Sequence, residues 1–240
     1  MKLIVAGGTG FVATEVIRQA LSHPAVTSVV ALSRRETPVP PDVPPGKFTS
    51  VVCSDFEDYP DAVKREISGA DACIWTIAVT PAKVFSLSWE QVCSICRDYP
   101  VAAVKALCKL PRSDSSRPIR FIYISGSNAA RDPAQKPWVL GDYCVMRGDV
   151  ETRVLDYARE SKGAMEAVVV KPGLIQTPDS TGALTKAAQY IGCALISLPK
   201  ITIADIAAAL LDQAVNGIEQ DTLDNDELAR IGQRASKALK

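Results

Sequence analysis

Tyr143 and Arg147 stand four residues apart in the stretch GDYCVMRGDVETRVLDYARE, residues 141–160. On a helix that spacing puts both side chains on one face. The same face continues through Val150 or Glu151 to Val154 and Ala158. The pair therefore heads an apolar stripe, where an arginine needs partners because a buried unpaired charge is costly. Ribose hydroxyls and a backbone carbonyl would serve; a nearby carboxylate would serve too and would make the pair purely structural. A cation about 4–6 Å from a phenol favours tyrosinate and lowers a reference pKa of about 10. Arginine stays protonated, so it supplies charge and hydrogen bonds but relays no proton. Acid chemistry at Tyr143, a ligand contact without proton transfer, and plain packing are the three readings of the pair.

A second group of candidates lies at the start of the chain. In LIVAGGTGFVATEVI an apolar run leads through a glycine cluster into a helical pattern. Gly8, Gly10 and Ala13 fit G-x-G-x-x-A, and read from Gly7 the same stretch gives G-x-x-G-x-x-A. Glycines permit a tight turn and let the backbone approach a diphosphate. A helix beginning near Phe11 would aim its free N–H groups and positive dipole end at that anion. The expectation is dinucleotide binding by Gly7, Thr9, Gly10, Phe11 and Val12; the alternative is a merely structural turn. Further on, ALSRRE offers Ser33, Arg34 and Arg35, where an NAD-preferring site usually has an acid for the ribose 2′-hydroxyl. A hydroxyl and guanidinium groups suit a 2′-phosphate, so NADP(H) is expected over NAD(H), against the alternative of a solvated basic loop. In CSDFED, Asp55 is expected to accept the adenine amino hydrogen with Phe56 against the ring, or else to cap a helix.

Rigid elements must hold these residues. Short runs rich in Val and Ile at 2–6, 28–32, 49–53, 72–77, 119–125 and 166–171 read as strands covered on both faces. Helical patterns occupy 11–22, 60–68, 88–109 and 142–161. The alternation implies a parallel, doubly wound α/β sheet with right-handed crossovers, and ligands beyond the carboxyl ends of its strands. That edge receives Thr76, Ile77 and Ala78 after the fourth strand, and Ser125 with Ser127 and Asn128 after the fifth. Pro172, Gly173, Leu174 and Ile175 follow the sixth. The prolines of RETPVPPDVPPGK, residues 35–47, forbid helix and central strand. Beyond residue 171, Thr202 and Asp205 are spaced as a capping box, Gly217 is a helix stop, and an amphipathic helix is expected at about 225–239. The expected organisation is one domain, 1–240, in which 172–240 contributes a small helical substrate cap.

Composition removes other classes. The 240 residues are 47% hydrophobic with a formal net charge of zero, which suits a sizeable core and argues against nucleic acid as a partner. No apolar run has membrane-spanning length, and the opening MKLIVAGG reads as no secretory signal. The seven cysteines lack paired spacing apart from Cys93 and Cys96 in a helical run, so reduced thiols of a cytoplasmic protein are expected and a metal site is not. The single histidine, His23, precedes a proline in a turn, which disfavours His-dependent catalysis.

Taken in order, GGTGF, SRR, SDFED, GADA, FIYISGSNA, YCVMRGDVE and VVVKPGLI resemble the atypical short-chain dehydrogenase/reductase family, in its NmrA-like and Tat-interacting-protein-like branch. The resemblance runs from Met1 to about Gly217. It implies a Rossmann fold, bound NADP(H) and a substrate pocket over the nicotinamide. It further implies that Ser125 or Ser127 polarises a substrate carbonyl and that Tyr143 protonates it. The position of the family's lysine, which holds the nicotinamide ribose and lowers the tyrosine pKa, is occupied by Arg147. The leading expectation is an NADPH-dependent reductase of a carbonyl or imine in a small substrate. The few charges of 176–200 suggest that this substrate is mostly apolar. A non-redox isomerase or cyclase with structural NADP, and an NADP(H)-sensing regulatory protein, are the alternatives. Pairing of the two long helices across a homodimer is expected by analogy alone.

Overall fold

The computed structural model describes residues 1–112, 117–176 and 198–238. Its centre is a parallel sheet of β1 (Lys2–Ala6), β2 (Ser28–Ser33), β3 (Phe48–Val52), β4 (Ala72–Trp75), β5 (Ile119–Ile124), β6 (Met165–Val170) and β9 (Thr222–Leu223). The strand order is β3-β2-β1-β4-β5-β6-β9, so the expected doubly wound sheet is present. All six predicted strands are found. Registers such as Leu3↔Ala72 and Ser33↔Val52 align their carboxyl ends. β4 stops at Trp75 rather than Ile77 because Thr76 turns back on the neighbouring strand: its N–H and its hydroxyl both donate to the Ala6 carbonyl, at 3.0 and 2.7 Å. The edge strand β9 and a small pair, β7 (Leu174–Gln176) with β8 (Lys200–Thr202), carry no apolar run long enough to be predicted.

Among the described residues the α-helices are α1 (Phe11–Ser22), α2 (Asp61–Ile67), α3 (Trp89–Cys93), α4 (Tyr99–Lys109), α5 (Gly141–Glu160), α6 (Ile203–Asn216) and α7 (Asn225–Ala238). Because strand side chains alternate, Ile4, Val30 and Tyr123 pack under α2, α4 and α5. Leu3, Val29 and Ile122 pack under α1, α6 and α7 on the other face. The single helix predicted over 88–109 is interrupted by a π-helical turn at Ser94–Asp98. Pro100 explains the slip, since it cannot donate to the carbonyl four residues back. Thr202 caps α6 by accepting from the Asp205 N–H at 3.0 Å, and Gly217 ends it with φ of 115°. Of the segment expected as a cap, 172–240, Pro172–Ile175 and Leu198 line a cavity at the carboxyl ends of the strands. α6 lies against α1, and α7 lies against α6, as a second layer behind the sheet. Within the predicted cap, 172–240, residues 177–197 lie outside the described residues.

Candidate active site

The order of the sheet reverses between β1 and β4, which opens a crevice at their carboxyl ends, the usual ligand position in such sheets. The glycine turn after β1 fills one lip of it. Gly7 has φ of +94°, and a Cβ there would stand 2.4 Å from Thr76 Oγ1. Gly8 is pressed against Thr37, and Gly10 against the Gly7 carbonyl. The turn closes with Gly7 N–H to the Leu32 carbonyl at 2.8 Å and Gly10 N–H to the Gly7 carbonyl at 2.7 Å. No side chain among the described residues caps α1, and its first-turn N–H groups, which begin just after the glycine turn, have no intrahelical partner. Thr9 and Phe11 are exposed there, and Val12 is half-buried.

Next to this turn lies a cavity of about 400 Å³ that gathers Phe11, Thr76, Ala78, Ser125, Tyr143, Arg147 and the segment Pro172–Ile175. Residues predicted from five separate stretches thus meet on one surface; Ile77 is packed against the core beneath it. Ser127 and Asn128 line the cavity as well. Arg147 is 3% exposed. Its Nη2 donates to the Ile124 carbonyl at 2.6 Å, and the guanidinium lies 5.0 Å from the centre of the Tyr123 ring. This is the backbone-carbonyl solution to its burial; no carboxylate among the described residues pairs with it. Among the described residues Nη1 has no hydrogen-bond partner, and neither has the buried Tyr123 hydroxyl.

Tyr143 donates to the Val79 carbonyl at 2.7 Å. Burial pushes its hydroxyl up to about 12, and the nearby Arg147 only partly counters this. The expected lowering by the cation is therefore overturned: the group is out of water, and desolvation outweighs the charge. For Arg147 burial opposes the charge, but Tyr123, Tyr143 and Cys96 outweigh it and hold the guanidinium above its ordinary range.

The far end of the crevice departs from expectation in three places. The Ser33 hydroxyl is buried and occupied, donating to the Arg35 carbonyl at 2.7 Å and lying 3.0 Å from Thr37 Oγ1. Its role is to shape the turn. Phe56 is 1% exposed and packs edge-on against Trp75 at 5.7 Å and Tyr59 at 6.2 Å, so it belongs to the core rather than to an adenine site. Asp55 is exposed, but one oxygen accepts from the Glu57 N–H at 2.8 Å in an Asx turn, not as the cap of α2. Arg34 and Arg35 are exposed, and neither guanidinium is bonded to protein among the described residues.

Sequence reasoning missed a buried charge cluster behind Ser125. Glu151 is 0% exposed. Its Oε1 accepts from the Ser125 hydroxyl at 2.6 Å, and its Oε2 accepts from Arg131 Nε at 2.8 Å and Lys171 Nζ at 3.2 Å. The signal was available, since Glu151 lies four residues past Arg147 on the same inward face, where a carboxylate requires cations. Ser125 consequently directs its proton at Glu151 and not into the cavity, unlike the donor that the resemblance implies. Cys96, expected as a reduced thiol, is free and buried, and its sulfur accepts from the Val79 N–H at 3.1 Å. No group of three or more His, Cys, Asp or Glu among the described residues is placed to hold a metal ion.

The tight glycine turn, the uncapped start of α1 and the orphaned Arg147 Nη1 fit a dinucleotide. The pattern of an NAD(P)H-binding family matches residues 7–216. Among curated proteins, the mitochondrial protein FMP52 of Coccidioides immitis is 28% identical over 177 residues, 71% of this chain and 64% of that one. The chain thus spans just under two thirds of that relative's length. The FMP52 protein of Candida albicans is 25% identical over 235 residues, 93% of this chain and 92% of that one. Both relatives are called mitochondrial, which overturns the expectation of a cytoplasmic protein. No helix among the described residues is long and apolar enough to cross a membrane. In fold the chain is similar to vestitone reductase from alfalfa, with a TM-score of 0.66 at 19% identity over 93% of this chain and 76% of that one, and to MoeE5 in complex with UDP-glucose and NAD, with a TM-score of 0.67 at 11% identity over 99% of this chain and 82% of that one. The chain belongs to the NAD(P)H-binding family and has a Rossmann fold.

Proposed function

We propose that the protein is an NADPH-dependent reductase of a carbonyl or imine group in a small, mostly apolar organic molecule. One observation carries the reading: Tyr143, Ser125 and Arg147 converge on a single cavity that continues to the glycine turn through Phe11 and Thr76. When bound, the nicotinamide nucleotide supplies the hydride. The turn Gly7–Gly10 and the start of α1 would hold its diphosphate. Arg34 and Arg35 would hold the 2′-phosphate, and the backbone of Thr76–Ala78 and Pro172–Ile175 would border the nicotinamide. Arg147 Nη1 offers a fixed donor to a ribose or substrate oxygen. Tyr143 keeps its proton at neutral pH because its hydroxyl is pushed up to about 12; it delivers that proton by leaving the Val79 carbonyl as negative charge develops on the substrate. Val139, Leu140 and Leu174 make the lining apolar and limit water.

Calorimetric titration tests the cofactor half. NADPH is expected to bind more tightly than NADH, and Arg34→Ala with Arg35→Ala should weaken NADPH about tenfold or more while leaving NADH little changed. Equal loss for both nucleotides would remove the 2′-phosphate assignment. NADPH oxidation against a carbonyl and imine panel tests the chemistry. A non-redox activity with structural nucleotide is the second reading, favoured by the inward-directed Tyr143 hydroxyl and by an arginine that relays no proton. Turnover with no change in NADPH absorbance would decide for it. We extend the proposal to a mitochondrial location, drawn from the names of the two relatives and checked by cell fractionation.

A further inference from the structure

Three hydroxyls on the cavity wall direct their protons away from the cavity. Thr76 donates to the Ala6 carbonyl at 2.7 Å, Tyr143 to the Val79 carbonyl at 2.7 Å and Ser125 to Glu151 Oε1 at 2.6 Å. The first two acceptors are neutral. Ser125 is held by a buried carboxylate, whose other oxygen receives Arg131 and Lys171. Lys171 is fixed in turn by the Ala129 carbonyl at 2.7 Å. Arginine and lysine only donate, so they match a carboxylate, which has no proton to give; the short contact at Oε1 is Ser125 donating. The backbone N–H of Ser125 is also engaged, on the Val170 carbonyl at 2.9 Å. What Ser125 shows the cavity is therefore a pair of oxygen lone pairs.

We propose that Glu151 makes Ser125 a fixed hydrogen-bond acceptor, so that the cognate ligand brings an O–H or N–H donor to this point of the cavity. The ligand class is an alcohol, amine or amide, and for the reductase a substrate that carries such a donor beside the group to be reduced. The inference rests on the cavity being the ligand chamber. Glu151 is a positioning residue that touches no ligand. An acceptor-only ligand facing Ser125 either meets oxygen with oxygen or takes the proton from the carboxylate, and both leave a buried polar atom without its partner.

Two isosteric probe pairs test this on the full chain by ligand-observed NMR titration: cyclohexanol against cyclohexanone, and indole against benzofuran. The donor-bearing member of each pair is expected to bind about tenfold more tightly. Ser125→Ala should level both pairs. Glu151→Gln should invert them. The glutamine oxygen must stay with Arg131 and Lys171, because an NH₂ group cannot face two donors; the NH₂ is thereby turned onto Ser125, and the Ser125 proton is released into the cavity. A merely structural Glu151 would not reverse a ligand preference. Equal binding within each wild-type pair, or a donor preference that survives in Ser125→Ala, overturns the inference while leaving the chamber intact. Binding of no probe at all removes the chamber reading and the inference with it. Should Glu151→Gln fail to fold, the Ser125→Ala comparison decides.

Discussion

Tyr143 is caught between a cation and the loss of water, and the loss of water wins. Its hydroxyl is pushed up to about 12 by burial, with Arg147 only softening the shift. Between pH 6 and 9 turnover should therefore show no limb from tyrosinate, and Tyr143→Phe should lower it by about 10²–10⁴-fold with nucleotide affinity kept. A flat pH profile that persists with full activity in Tyr143→Phe would remove the acid assignment. The raised value also has a consequence for stability. The folded state favours the neutral phenol, so the contribution is complete below the unfolded pKa of about 10 and is lost as pH rises through the folded value. Alkaline unfolding followed by circular dichroism should accordingly be less steep between these limits in Tyr143→Phe than in the wild type. The Tyr143–Arg147 pair was legible from its spacing. The direction of the pKa shift was not, because it depends on how much water the fold removes.

At the scale of elements, α5 serves the site by how closely the loop after β5 can approach it. A Cβ on Gly148 would stand 2.0 Å from the Ala130 carbonyl, and Ala130 N–H donates to the Cys144 carbonyl at 3.0 Å. That contact brings Arg131 to Glu151 and Ser125 to the cavity. Gly148→Ala would gain about 1 kcal/mol in helix propensity, but the backbone clash is expected to cost about 2–3 kcal/mol, so the balance is destabilising. A lowered midpoint in thermal denaturation checks this, and an unchanged midpoint would show that the loop gives way freely. Nothing in GDVE within a helical run announces a glycine required by a loop far earlier in the chain. The break at Ser94–Asp98, by contrast, was written in Pro100, and only its form as a π turn came with the packing of the helix.

For the molecule as a whole, the last strand and helix close the wall of the site from behind. Asn225 is 5% exposed; its Oδ1 accepts from the Gly173 N–H at 3.0 Å, and its Nδ2 donates to the Lys200 carbonyl at 3.3 Å. Leu223 accepts from the Lys171 N–H at 2.8 Å, which sets the lysine beside Glu151. Asn225→Ala is expected to cost about 1–2 kcal/mol by leaving the Gly173 N–H unpaired, and to weaken nucleotide binding as the Pro172–Ile175 segment loosens. Chemical denaturation together with the calorimetric titration measures both effects; a stability loss without any change in affinity would separate the clip from the site. The sequence by itself determined the alternation of strands and helices, the glycine turn and the arginines after β2, because periodicity and turn chemistry act over a few neighbouring residues. Only the tertiary structure decided that Ser33 and Phe56 turn inward, that Glu151 claims the Ser125 proton and that the tail backs the sheet. Burial and hydrogen-bond direction are set by residues distant in the chain, and neither exists until the layers have packed.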